Sequence, residues 1–252
     1  MVYMGSKANI ADNILSYIHS YILVNNYTTY IEPFVGGANV IDKVNADHKY
    51  AYDKNKYLIA LFKHLQNCGD LPEDISREQY NDCRAHYQAK DNYYDDWYLA
   101  AVGFLAGFSG RFYDGGYAKN TEDRYYYIER RSNLLEQMKY LNNVEFNVSD
   151  YRDLNPKNAC IYCDPPYAGT RGYDTITKEF NHKEFWDIMR EWSKNNTVLI
   201  SEQTAPDDFD VIWQQDVKRT ISTFETRDEY KQVTEKLFIH KSLNDDIGYS
   251  FW

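Results

Sequence analysis

A chain of 252 residues, 43% hydrophobic and 26% charged, is long enough to bury a sizeable core as one domain with an insertion or as two small ones. A net charge of −10 excludes a protein that coats phosphate broadly, while leaving room for a local basic patch. No apolar run reaches the roughly 18 residues of a membrane span, and no signal-peptide pattern occurs, so no membrane partner is expected.

Residues 7–22, KANIADNILSYIHSYI, set Ile10, Ile14, Leu15, Ile18 and Ile22 at helical spacing and predict one amphipathic helix. TTYIEPFVGGANV then reads as strand, tight turn and helix, and YAYDKN as a second short strand ending in an acid. Two βα units in succession suggest a parallel sheet. From about residue 60 to 142 strand signals are scarce. NDCRAHYQAKDNYYDDWYLAAVGFLAGF turns from polar to apolar and helical, SGRFYDGGYAKN is a Gly-rich loop mixing basic and aromatic residues, and YYYIERRSNLLEQMKYL is helical again. This predicts a helical insertion, 61–142, in a domain made of 1–60 and 143–252. VEFNVSDY, ACIYCDPPY and NTVLISEQ predict three more strands, with the helix HKEFWDIMREWSKN before the last; DVKRTIST and EKLFIHKSL suggest a closing hairpin.

The four cysteines, Cys68, Cys83, Cys160 and Cys163, lack zinc-like spacing. Cys160 and Cys163 form a CxxC within a predicted strand, where alternate side chains point oppositely. All four read as reduced and structural, with no metal.

In open α/β sheets ligands bind beyond the carboxyl ends of strands. Three strand ends here carry distinctive groups. Glu32-Pro33-Phe34-Val35-Gly36-Gly37 follows the first, and its glycines would let backbone approach a ligand. Asp53 ends the second, 17 residues after Gly36, about where an acid accepts from ribose hydroxyls. Asp164-Pro165-Pro166-Tyr167 ends a later one. Gly-Gly in a βα turn is as often structural, and an exposed acid is usually only solvated. The Asp-Pro-Pro-Tyr run at a strand end is the more specific feature. Together the three describe a nucleoside-bearing cofactor and a second, planar substrate.

EPFVGG, Asp53 and DPPY, in that order around a helical insertion, resemble the Dam-type (D12 class) DNA adenine N6-methyltransferases, with the motif order of their alpha group. YMGSK, residues 3–7, resembles the family's aromatic-x-Gly-Gly-Lys opening, and VLISEQTAP with DFDVIW resembles phage and prophage members. Ser6 replaces the second glycine of that opening, Ala38 stands where another glycine is common, and Glu202-Gln203 replace an Asn-His pair. The first two exchanges are small for small and are expected to be tolerated.

The resemblance implies a Rossmann-like S-adenosylmethionine-dependent fold with a DNA-recognition insertion. It implies S-adenosylmethionine held by Tyr3, Lys7, Glu32, Phe34, Gly36, Asp53, Asp150, Tyr151 and Asp164, and double-stranded DNA as partner. A cytoplasmic monomer in a bacterial or phage-infected cell is the expectation. Asp164 and the Pro165 carbonyl would accept the hydrogens of the target amine, Pro166 would stiffen the turn, and Tyr167 would face a flipped-out base. Of the insertion's cations, Arg111, Lys119 and Arg124 are candidate DNA contacts, with Arg130 and Arg131 fitting an ordinary solvated helix face. Cytosine N4 methylation, a catalytically silent DNA-binding relative, an RNA substrate and a nicotinamide enzyme are the alternatives. The absent GxGxxG spacing counts against the last.

Overall fold

A computed structural model describes the chain except residues 4, 8, 68, 168–179, 221–229 and 245–252, and describes residues 218–220, 230, 231 and 244 by backbone alone. It divides into two compact units, Met1–Leu154 and Asn155–Trp252.

The first unit opens with α1 (Ala11–Val24), which buries Ile14, Leu15 and Ile18, the positions the helical spacing selects. Three parallel strands follow: β1 (Thr29–Glu32), β2 (His48–Asp53) and β3 (Val144–Val148). β2 lies in the middle, with Thr29 opposite His48 and Lys49 opposite Val144. One expectation fails: no helix of any length follows the glycine turn. A three-residue 3-10 turn, Ile41–Lys43, stands there instead. Gly36 and Ala38 both adopt positive φ, +46° and +55°, a conformation from which a right-handed helix cannot propagate.

α2 (Lys56–Gln66) starts where the Asn55 side chain accepts from the backbone N–H groups of Tyr57 and Leu58. Its Phe62 stacks on Phe146 of β3 with centroids 4.6 Å apart. α3 (Arg77–Ala89) begins with a Ser76–Gln79 capping box. α4 (Asp96–Ala100) runs into a buried π-turn, Ala101–Leu105. After a loop comes α5 (Tyr126–Met138). Among the described residues of 61–142, strand pairing is confined to the isolated bridges Gly107–Tyr117 and Thr121–Arg124.

In the second unit β4 (Cys160–Cys163) pairs in parallel with β5 (Thr197–Glu202). Every residue of both strands is buried, as strands covered on both faces require. α6 (His182–Trp192) turns Phe185, Trp186, Met189 and Trp192 inward. β6 (Phe209–Thr220) and β7 (Tyr230–His240) form the expected hairpin, and β7 also pairs antiparallel with β5. β6 starts well before the predicted run. A bulge between Val211 and Trp213 breaks the alternation that marks a strand in sequence. The order within this unit is thus β4, β5, β7, β6.

Cys83, Cys160 and Cys163 are buried; Cys68 lies outside the described residues. Among the described residues no helix is long and apolar enough to cross a membrane, and no cluster of His, Cys, Asp or Glu could hold a metal ion.

Candidate active site

In the first unit the glycine loop follows β1. Glu32, buried at the strand end, accepts a hydrogen bond from the Tyr30 hydroxyl at 2.7 Å. A Cβ on Gly36 would stand 3.1 Å from the Tyr3 ring. One on Gly37 would stand 2.8 Å from the Met1 carbonyl oxygen. At Gly37 the loop and Met1 therefore approach closer than a larger residue permits, and at Gly36 the Tyr3 ring would have to give way. Ser6 accepts from the Asn39 side chain at 2.8 Å, so this departure from the family's opening is tied to the loop. Ala38 is not simply small for small, because its positive φ is a conformation that favours glycine.

Asp53 closes the loop from the end of β2. Its Oδ2 accepts from the Gly36 N–H at 3.1 Å and its Oδ1 from the Asn55 N–H at 2.9 Å. Burial pushes its carboxyl up from 3.8 to about 6, against the lowering effect of those two bonds. Each oxygen holds one backbone donor and keeps a lone pair for another, which suits a pair of ribose hydroxyls. Phe34 and Tyr151 bring their rings to 5.2 Å. Lys7 is buried, with its Nζ donating to the Gly5 carbonyl at 3.2 Å. The donor set and the aromatic pair fit a nucleoside-bearing group. Asp150 is otherwise engaged. It accepts from Arg152 Nη2 at 2.7 Å and pairs with Lys54, and the Arg152 bond first of all holds its carboxyl down at about 2.

In the second unit Asp164 leaves the end of β4 partly exposed, followed by buried Pro165 and half-buried Pro166. Tyr167 is buried, and its hydroxyl donates to Glu235 Oε2 at 2.8 Å. Burial is the first cause that lifts this phenol well above its ordinary value. Sequence reading missed Glu235, itself only 3% exposed. A signal was present: Glu235 alternates with Leu237 and Ile239, the inward face of β7. Nearby, the Tyr162 hydroxyl and Ser201 Oγ lie 2.7 Å apart, and buried Glu202 accepts from the Gln203 N–H at 3.0 Å.

The insertion's cations divide sharply. Arg111 and Lys119 are exposed and make no side-chain hydrogen bond or ion pair among the described residues. Arg124 is held by Glu129 in a two-point pair of 2.7 and 2.8 Å and lies over the Tyr126 ring. Arg130 is not on a solvated face at all. It is buried, and its Nη1 donates to the carbonyls of Leu105 and Gly107. Arg131 donates to the Leu71 carbonyl. Two tyrosines of the Gly-rich loop are anchors: Tyr113 donates to the Leu99 carbonyl and Tyr117 to that of Ile75, each at 2.9 Å.

A family model described as the D12 class N6 adenine-specific DNA methyltransferase matches residues 3–236. The chain belongs to this family. It is 23% identical, over 75% of its length, to the type II methyltransferase M.FokI of Planomicrobium okeanokoites. It spans about a third, 31%, of that curated relative. Among solved structures it is similar to PH1948 of Pyrococcus horikoshii, with a TM-score of 0.44 and 10% identity over 95% of this chain and 87% of that one. A Thermoplasma acidophilum protein follows at a TM-score of 0.39 and 10% identity, covering 98% of this chain and 100% of that one. The D12-class chain has a mixed α/β, Rossmann-like methyltransferase fold.

Proposed function

We propose that this D12-class chain methylates N6 of adenine at a specific sequence in double-stranded DNA, using S-adenosylmethionine. The observation that carries the reading is the end of β4. A carboxylate and two prolines leave a wholly buried strand, and the aromatic that follows is fixed by a buried glutamate. An exocyclic adenine amine is a poor nucleophile because its lone pair is delocalised into the ring. Asp164 and the Pro165 carbonyl each accept one N6 hydrogen, which draws the nitrogen toward tetrahedral geometry and frees the lone pair. The prolines keep both acceptors rigid and add no competing N–H. Acceptors set in advance are commonly the largest catalytic contribution. Tyr167 offers its ring face to the base, which must leave the duplex to reach it. The cofactor, when bound, supplies a methyl group on a sulfonium.

Asp53 would receive the ribose hydroxyls and Phe34 and Tyr151 would flank the adenine, with Glu32, Gly36, Tyr3 and Lys7 around them; Asp150 would join them only on giving up Arg152 or Lys54. Residues 61–142 act as the target-recognition insertion of a catalytic domain formed by 1–60 and 143–252. Arg111 and Lys119 meet the DNA, and Arg124 does so only on exchanging Glu129 for a phosphate. Methylation-sensitive sequencing of a host expressing the chain tests this reading. One modified adenine motif is expected; a modified cytosine, or no modification from a folded, expressed chain, overturns it.

A further inference from the structure

α5 turns Tyr127, Arg130, Leu134, Gln137 and Met138 inward. Two of these five positions are polar, although packing alone would be served by apolar side chains. A buried guanidinium or amide is costly without partners, and both have them at functionally separate places. Arg130 Nη1 donates to Leu105 O at 2.9 Å and to Gly107 O at 2.7 Å. Gly107 starts the basic loop, and its bridge to Tyr117 and the bond from Ala118 N–H to Ala106 O close the loop's base. Two helical turns further along the same face, Gln137 Nε2 lies 2.9 Å from Ala38 O and 3.2 Å from Gly37 O, the crest of the glycine loop. Ala38 sits there at φ +55°, a conformation that persists only where its surroundings hold it. A second link runs beside the first. The Tyr3 ring lies between Gly36 and Phe104, whose centroid is 5.6 Å from its own. Gly110 of the basic loop abuts Val2, where a Cβ would stand 2.8 Å from Cγ1.

From these contacts we infer that Gln137 and Arg130 are positioning residues, through which α5 makes cofactor on the glycine loop and DNA on the 107–118 loop strengthen each other's binding. This rests on the function proposed above. A ligand that orders either loop orders the helix seated against it, so the second ligand meets a loop already set. Such coupling is reciprocal.

The test measures the affinity of S-adenosylhomocysteine by calorimetry with and without a duplex carrying the site found by sequencing. Wild-type protein should bind it at least about fivefold more tightly with the duplex present. Gln137→Met, which keeps length and volume but no donor, and Arg130→Met should each bring the factor to within about twofold of one. Arg130→Lys, which keeps a donor, should retain part of it. Backbone hydrogen exchange on wild-type protein gives a second readout independent of how the variants fold. Duplex alone should slow exchange at residues 35–39, and S-adenosylhomocysteine alone should slow it at 107–118. Wild-type protein that binds both ligands with a factor of one, or both methionine variants at the wild-type factor, overturns the coupling and leaves the proposed function standing. Failure to bind either ligand removes both.

Discussion

Asp53→Asn should leave the ligand-free fold level with wild type or up to about 1 kcal/mol more resistant to unfolding at neutral pH, while weakening its hold on the cofactor. The Asp53 carboxyl stands near 3.8 in the unfolded chain and is pushed up to about 6 in the fold, chiefly by burial. Between those values the native state holds more protons than the unfolded one, so the carboxylate's contribution falls as pH rises through that window. A rise from 3.8 to about 6 corresponds to on the order of 3 kcal/mol at most, and because Asp53 keeps part of its surface open the contribution is about 1–2 kcal/mol. Asparagine removes the charge but can accept only one of the bonds from Gly36 and Asn55, a loss of roughly 1 kcal/mol that does not vary with pH. The two contributions are therefore separable. Urea unfolding of both proteins from pH 4 to pH 7 should show the variant gaining on wild type by about 1–2 kcal/mol across the window. Cofactor hydroxyls need the ionised acceptor, so wild-type affinity should rise from pH 5 to pH 7 and level off above. The variant should bind more weakly, by roughly 1–3 kcal/mol at pH 7, without that rise. Parallel stability curves would show that the carboxyl is not desolvated, and equal affinities would remove Asp53 from the cofactor site.

Asp164→Asn keeps the shape but can turn two donors toward an amine that needs acceptors. Single-turnover methyl transfer should fall by roughly a thousandfold while DNA is still bound. Tyr167→Phe keeps the ring but removes the bond to Glu235. Thermal unfolding should register a loss on the order of 1–3 kcal/mol, while single-turnover transfer falls by less than tenfold. Lys119→Ala should weaken all duplexes alike and flatten the salt dependence in a titration series. Arg111→Ala should erode discrimination between cognate and mismatched duplexes by about 1–3 kcal/mol in competition binding. Ala38→Gly should change unfolding free energy by less than about 1 kcal/mol, because relief of about 1–2 kcal/mol of positive-φ strain is offset by lost chain stiffness and a lost buried methyl.

What the sequence makes legible depends on whether a feature is local. β1, β2, β4 and β5 announce themselves through apolar runs that end in an acid or a proline, and α1 through its spacing. The glycine turn is legible as a turn, yet the helix expected after it is not there, because the positive φ of Ala38 is set by neighbours distant in the chain. The bulge in β6 hides half of a strand from any reading that relies on alternation. The candidate site divides the same way. Gly36, Asp53 and Asp164 lie in recognisable motifs. Glu235 declares its role only once β7 is seen to turn it toward Tyr167. Arg130 and Gln137 look like ordinary polar helix residues, since periodicity cannot distinguish a polar group that faces solvent from one that faces a buried carbonyl.

The same distinction reconciles an acidic chain with the polyanionic partner proposed for it. Counted in sequence, residues 103–141 hold six basic and five acidic side chains, scarcely a basic surface. Counted by partner, the balance changes. Arg124 and Lys139 are matched by Glu129 and Glu136, while Arg130 and Arg131 are spent on backbone carbonyls. The cations that remain exposed and uncommitted are Arg111, on the loop whose base Arg130 fixes, and Lys119, directly after it. With so few phosphate contacts available from this loop, the affinity it supplies should depend only shallowly on salt, since each neutralised phosphate contributes roughly 0.9 to the slope. Discrimination then falls to base-edge contacts and to the cost of extruding the target base rather than to bulk charge. Salt titration of wild-type protein on a cognate duplex measures that slope directly. A slope as steep as about −6 would mean that a larger basic surface than this loop meets the DNA.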